Sequence, residues 1–193
     1  MLGNEETVYL IAKMIKKSRL KNVVVDPVVF SSSGKRLLTR SGVEVLKKHL
    51  LPVASLVTPN IKEAELLSGV KIKSESDRKK AARIILKTGV KAALITGGHL
   101  KGNPEDLLLD DKGVQIFSSE RLSKTDMHGS GCVFSAAIVA RLAKGIPLQE
   151  AIEYAKEYVG QAIIGGVASG NGTPCVEPFA AMYRESEKLQ CLS

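Results

Sequence analysis

Tryptophan is absent, and only four Phe and four Tyr are scattered through the 193 residues. Surfaces that bind nucleic acid interleave basic side chains with aromatic rings on which bases stack. That scarcity argues against a nucleic-acid partner in spite of a formal net charge of +8. No apolar run approaches the roughly 20 residues of a membrane-spanning helix. The opening MLGNEETVYL is acidic and lacks a basic stretch followed by an apolar one, so it does not read as a secretory signal. No membrane partner is expected. The cysteines (Cys132, Cys175 and Cys191) are odd in number and form no CxxC or Cys/His pairing of zinc-site spacing, which fits a reducing cytoplasm. GxxxxGK[ST] does not occur, which excludes a P-loop, and GGVASGNG does not match GxGxxG, so no dinucleotide site is indicated.

What is present alternates between helical and strand patterns. EETVYLIAKMIKKS sets Val8, Ile11, Ala12 and Ile15 on one helical face with lysines opposite. NVVVDPV is a β-branched run closed by Asp26-Pro27, the pattern of a buried strand. FSSSGKRLL is a loop, and TRSGVEVLKKHLLP a helix with a Thr or Ser cap that closes before Pro52. ASLVTPN is a second strand, IKEAELLSG a short helix ended by Gly69, and SESDRKKAARIILKTG a helix with Ala82, Ile85 and Leu86 inward. AALITGG is a third strand, and EDLLLDDKGVQIFSSE folds about Asp-Lys-Gly as a β-hairpin. Two helices follow, from Gly131 to about Lys144 and from Pro147 to about Ile164. A Gly-rich turn then leads to a last helix near Pro178 to Leu189. Short apolar strands separated by helices predict a mainly parallel sheet covered on both faces, a three-layer α/β/α arrangement, in one domain over residues 1–193. Ligands of such sheets gather at the carboxyl ends of the strands. Those ends are Asp26-Pro27, Thr58-Pro59-Asn60 and Thr96-Gly97-Gly98.

Three groups of residues have chemical uses. Gly129-Ser130-Gly131 opens a helix, where unpaired backbone N–H groups and the helix dipole favour an anion. Cys132 lies in the same field, which lowers a thiol pKa; the alternative is a small cysteine packed beneath a tight turn. Asn60 and Glu63, three apart at a helix start, are an amide oxygen and a carboxylate suited to Mg²⁺. They equally suit a reciprocal capping box. Asp26 can orient a metal-bound water or cap its loop, and Thr96-Gly97-Gly98-His99 is a phosphate cradle or a plain turn. The lysine runs KMIKKSRLK, LKKHL and SDRKKAARI are solvated helix faces or a surface for a phosphate-bearing partner.

VVVDPV, SSSGKRLL, LVTPNIKEAELL, ITGGHL and HGSGCVFSAAIVA, in this order, resemble the hydroxymethylpyrimidine/phosphomethylpyrimidine kinases of thiamine biosynthesis, in the ribokinase-like superfamily. The resemblance runs from the first residues to about Phe179. Its HG[ST]GC element separates this family from the sugar kinases, which carry an aspartate where Cys132 stands. It implies an ATP- and Mg²⁺-dependent phosphotransferase with a ribokinase-like fold and a small-molecule substrate bearing a hydroxymethyl group on a pyrimidine. Pyridoxal, a pyridine, is the alternative substrate. It implies that Gly129, Ser130 and Gly131 form the anion hole, and that Cys132 accepts the proton of the attacking hydroxyl. Asn60 and Glu63 match the NxxE element that positions Mg²⁺ through water. Asp26, Thr96, Gly98 and Lys156 fall on the nucleotide side, and Val28 near the pyrimidine.

Two departures stand out. The family usually reads KGGH where this chain has Thr96-Gly97-Gly98-His99, and a threonine hydroxyl does not replace a cation. The chain also begins inside the family pattern, without the Gly-rich opening segment and strands that build most of the pyrimidine pocket. The expectation is an N-terminally truncated form, either a homodimer that covers the edge left at its N-terminus or one whose remainder comes from upstream coding sequence or from a partner chain. A nucleotide-binding fragment without turnover is the remaining alternative.

Overall fold

The computed structural model describes residues 1–31, 33–98, 102–122, 127–168, 170 and 172–180. Its contacts fall into two units, Met1–Ser119 and Glu120–Ser193.

The first unit opens with α1, Glu5–Ser18. Asn4 caps it by accepting the Thr7 N–H, and Glu5 and Glu6 lie in its positive first turn, Lys16 and Lys17 in its last. Val8 and Ala12 are buried, and Ile11 and Ile15 pack against them, which is the face the periodicity predicts. Five strands follow: β1 Val24–Val25, β2 Leu56–Val57, β3 Ala93–Ile95, β4 Glu105–Asp110 and β5 Gly113–Ser118. They form one sheet in the order β1-β2-β3-β4-β5. β1 pairs with β2 and β2 with β3 in parallel, whereas β3–β4 and β4–β5 are antiparallel. β1 and β2 are short because Pro27 and Pro59 follow closely and a proline brings no N–H to the ladder. The hairpin β4–β5 turns at Asp111-Lys112 as predicted, with the Lys112 N–H donating to Asp110 Oδ1 at 2.9 Å.

Helices α2 (Arg40–Val45), α3 (Ile61–Ser68) and α4 (Glu75–Leu86) belong to the same unit. The segment expected as one helix closing before Pro52 differs from that reading. Thr39 caps α2, but α-helical bonding stops at Val45. A wider π turn follows over Leu46–Leu50, then a tight turn over Leu51–Val53 that contains Pro52. The Pro52 ring is incompatible with a regular turn around the carbonyl four residues back. The preceding turn opens, and the Leu51 N–H donates to the Leu46 carbonyl instead. Leu46, Leu50 and Leu51 all enter the core this way. On α4, Ala82 and Ile85 are buried and Leu86 partly so, as the pattern indicates. The buried Arg78 guanidinium, not anticipated, donates to the Glu105 carbonyl at 3.0 Å and faces the Glu105 carboxylate at 3.4 Å, tying α4 to the start of β4.

The second unit holds α5, Ser130–Ala143, and α6, Leu148–Ile164, which pack together. Arg141 of α5 lies 4.3 Å above the Tyr154 ring of α6. After α6 the chain doubles back: Val167 and Cys175 exchange both backbone hydrogen bonds at 3.0 Å. Beyond Ala180, the helix expected near Pro178 to Leu189 lies outside the described residues. No helix among the described residues is long and apolar enough to cross a membrane.

Candidate active site

In the first unit the parallel strands deliver their carboxyl ends to one edge of the sheet. Asp26 directly follows β1 and Thr58 directly follows β2, and the Thr58 N–H donates to the Val25 carbonyl at 3.0 Å. Asn60 and Thr96 form a parallel bridge, and the Thr96 N–H donates to the Pro59 carbonyl at 2.9 Å. The three strand-end segments singled out from the pattern are therefore neighbours.

Glu63 is 2 % exposed and locks this edge. Its N–H donates to Asn60 Oδ1 at 3.0 Å while its Oε2 accepts the Asn60 N–H at 3.0 Å, a complete capping box. Its Oε1 accepts the Val29 N–H at 2.9 Å, 34 residues back in sequence. One carboxylate thus joins the start of α3 to the loop leaving β1. Burial pushes the Glu63 carboxyl up from its usual value; the Asn60 and Val29 N–H groups act against this, and the negative charge of Asp26 adds to it. Just ahead of Val29, Val28 has φ 43°, a left-handed conformation that is an outlier for a β-branched residue. Backbone strain of this kind persists only where neighbours over-determine it. The bond from Val29 to Glu63 is one such restraint.

One residue of this edge, Asp106, and one property of another, the burial of the Thr58 hydroxyl, were not read from the sequence. Asp106 on β4 is 5 % exposed, and its Oδ1 accepts the Gly97 N–H at 2.8 Å, which anchors the turn holding Thr96 and Gly98. The available signal was an acidic residue inside the apolar run EDLLL. The Thr58 hydroxyl is buried without a hydrogen-bond partner among the described residues, and nothing in a TPN tripeptide announces that. Gly98 is exposed, with open space where a side chain would stand, and His99 lies outside the described residues.

The second unit places Gly129 at the start of α5 with φ 92°, a conformation that favours glycine. Asn4, Thr39, Asn60 and Ser74 cap α1 to α4 with side-chain oxygens, but no side chain caps α5. The first helical bond runs from the Val133 N–H to the Gly129 carbonyl at 2.9 Å. Among the described residues no side-chain hydrogen bond caps the opening turn formed by Ser130, Gly131 and Cys132. Cys132, the third helical residue, is an exposed thiol, not a cysteine packed beneath the turn. Lys156 is half-buried on α6. The predicted residues thus divide: Asp26, Val28, Asn60, Glu63, Thr96 and Gly98 belong to the first unit, and Gly129 to Cys132 with Lys156 to the second.

The family model for phosphomethylpyrimidine kinase matches residues 1–177. The chain belongs to the phosphomethylpyrimidine kinase family. A hydroxymethylpyrimidine/phosphomethylpyrimidine kinase of Aquifex aeolicus is 39 % identical over 173 residues, 89 % of this chain and 68 % of that protein. A bifunctional thiamine-biosynthesis protein of Geobacter sulfurreducens is 44 % identical over 164 residues, 84 % of this chain but 34 % of its own length. The chain therefore spans about a third of that bifunctional protein and about two thirds of the kinase. Among solved structures, pyridoxal kinase from Staphylococcus aureus in complex with ADP matches with TM-score 0.86 and 35 % identity, over 94 % of this chain and 66 % of that one. These relatives bear out the ribokinase-like α/β fold expected from the sequence. Family membership gives Gly129 to Cys132 a context that a bare glycine turn lacks.

Proposed function

We propose that this chain handles the phosphates in an ATP-dependent kinase acting on hydroxymethylpyrimidine or its monophosphate. The observation that carries the proposal is the uncapped start of α5, with Gly129 at φ 92° and an exposed thiol at the third helical position. Phosphoryl transfer depends mostly on positioning and on stabilising charge. The N–H groups of Ser130 to Cys132 would hold the oxygens of the phosphoryl group in flight, and the Cys132 thiolate would take the proton of the substrate hydroxymethyl group. The freed oxygen bonds to the γ-phosphorus, the bond to the bridging oxygen breaks, and ADP leaves with that electron pair.

Among the described residues no cluster of three or more His, Cys, Asp or Glu side chains is arranged to hold a metal ion. Mg²⁺ bound to phosphates needs few protein oxygens and keeps several waters. Glu63 is compatible with that mode, since each of its oxygens accepts one backbone N–H and keeps a further lone pair for a water, and Asp26 adds a second negative charge nearby. We assign Glu63 and Asn60 to hold Mg²⁺ through water; the ion would neutralise phosphate charge. Asp26, Thr96, Gly98 and Lys156 are assigned to the nucleotide and Val28 to the pyrimidine.

Turnover with Mg-ATP is to be measured on hydroxymethylpyrimidine, its monophosphate and pyridoxal in parallel. Phosphorylation of either pyrimidine supports the proposal. Phosphorylation of pyridoxal alone transfers the assignment to the second reading, which the match to pyridoxal kinases favours. Binding of ADP without any turnover leaves a nucleotide-binding fragment.

Thr96 supplies a further check. Its hydroxyl stands where the family usually carries a lysine. Thr96→Lys is expected to tighten ADP binding about tenfold, the worth of one charge-assisted contact to phosphate. Equilibrium titration measures this, and an unchanged Kd would remove Thr96 from the nucleotide side.

A further inference from the structure

The Gly-rich stretch after α6 contains a contact that a turn alone does not require. A Cβ added to Gly166 would lie 1.9 Å from Met127 Cε, 2.7 Å from Met127 Sδ and 2.8 Å from the Cys175 carbonyl oxygen. The methionine tip can swing away, but the carbonyl cannot do so freely, because it accepts the Val167 N–H at 3.0 Å. The residues flanking Cys175 grip His128: the His128 N–H donates to the Pro174 carbonyl at 2.7 Å, and the Val176 N–H donates to the His128 carbonyl at 3.1 Å. Met127 is 7 % exposed and packs with Ala162 and Val176. Gly129 comes next, and a Cβ there would stand 3.4 Å from Val176 Cγ2. Bare backbone at Gly166 therefore seats Met127 and residues 174–176, and this segment holds His128, two residues ahead of the first residue of α5.

We propose that Gly166 is a positioning residue for phosphoryl transfer: lacking a side chain, it lets Met127 and the 174–176 segment set where the Gly129–Gly131 turn begins and hence where Cys132 stands. The link to phosphoryl transfer rests on the function proposed above, whereas the geometry does not. A thiol in the first turn of a helix ionises below its ordinary value of about 8.5, and its alkylation rate follows the thiolate fraction. The test measures the pH profile of Cys132 alkylation by iodoacetamide, resolved by peptide mass spectrometry, in the full chain and in Gly166→Ala. Thermal melting establishes that each variant is folded, and turnover is followed on the same samples.

Gly166→Ala is expected to slow Cys132 alkylation at pH 7 threefold or more, to move its midpoint upward, and to lower kcat at least tenfold. An unchanged Cys132 profile in folded Gly166→Ala overturns the proposal. Should that variant not fold, Met127→Ala carries the test, because it opens space instead of adding a clash; a shifted profile supports the proposal and an unshifted one overturns it. Absence of turnover in the unaltered chain counts against the kinase reading alone, since the alkylation profile still decides the role of Gly166.

Discussion

Cys132→Ala is expected to lower kcat by about 10²–10⁴-fold, the range that a positioned proton acceptor contributes, while the Kd for ADP changes less than about twofold. The split follows from where the sulfur stands. Cys132 is exposed at the third position of α5, and its side chain does not build the turn that would grip phosphate. Removing it leaves Gly129 at φ 92° and the backbone of Ser130 and Gly131 in place. Stopped assays with Mg-ATP give the turnover, and calorimetric titration with ADP gives the binding. Cys132→Asp separates a proton acceptor from a merely well-placed atom. A carboxylate restores a base of lower pKa, so part of the lost rate returns and the acidic limb of the pH–rate profile moves to lower pH. Turnover of Cys132→Ala equal to that of the unaltered chain would dismiss the thiol from the reaction.

Periodicity made most elements legible. Val8, Ile11, Ala12 and Ile15 gave the buried face of α1, and Asp111-Lys112-Gly113 gave the hairpin β4–β5. These are local signals, set by residues within one or two turns of each other. Asn60 and Glu63 were legible in two ways, and the capping box is formed. Its formation does not displace the metal assignment, because waters can bridge from a carboxylate that also caps.

What the sequence did not disclose is fixed by residues far apart. Glu63 meets Val29 across 34 positions and Arg78 meets Glu105 across 27, pairings that only the folded sheet creates. Asp106 likewise acts on Gly97 through strand pairing, since β3 and β4 run antiparallel with Ile95 opposite Leu107. The π turn over Leu46–Leu50 has a local cause in Pro52, but the length by which a turn widens ahead of a proline depends on which leucines the core accepts. Gly166 looked like turn punctuation, and its bare backbone matters through neighbours that sequence does not reveal.

Glu63→Ala is expected to destabilise the chain by about 3 kcal/mol, since each backbone donor orphaned by burial costs ~1–3 kcal/mol and the substitution orphans two. The Val29 N–H is buried and the Asn60 N–H partly so, and both donate to this one carboxylate. Urea unfolding in metal-free buffer measures the loss as a lower midpoint. Loss of the clip also frees Val28 from φ 43°, so turnover should fall further than ADP affinity if Val28 faces the pyrimidine. Glu63→Gln keeps one acceptor and removes the ionisation, which makes the pH dependence informative. The folded-state pKa of Glu63 lies above its ordinary value of 4.5, chiefly through burial. Between those two values the folded chain binds more protons than the unfolded one, so the contribution of Glu63 is greatest below pH 4.5 and declines as pH rises through the folded-state value. The stability difference between the unaltered chain and Glu63→Gln should follow that decline and level off above it. A difference that grows with pH would mean that N–H donation outweighs burial at this carboxylate, and that Glu63 is held as a fully ionised clip.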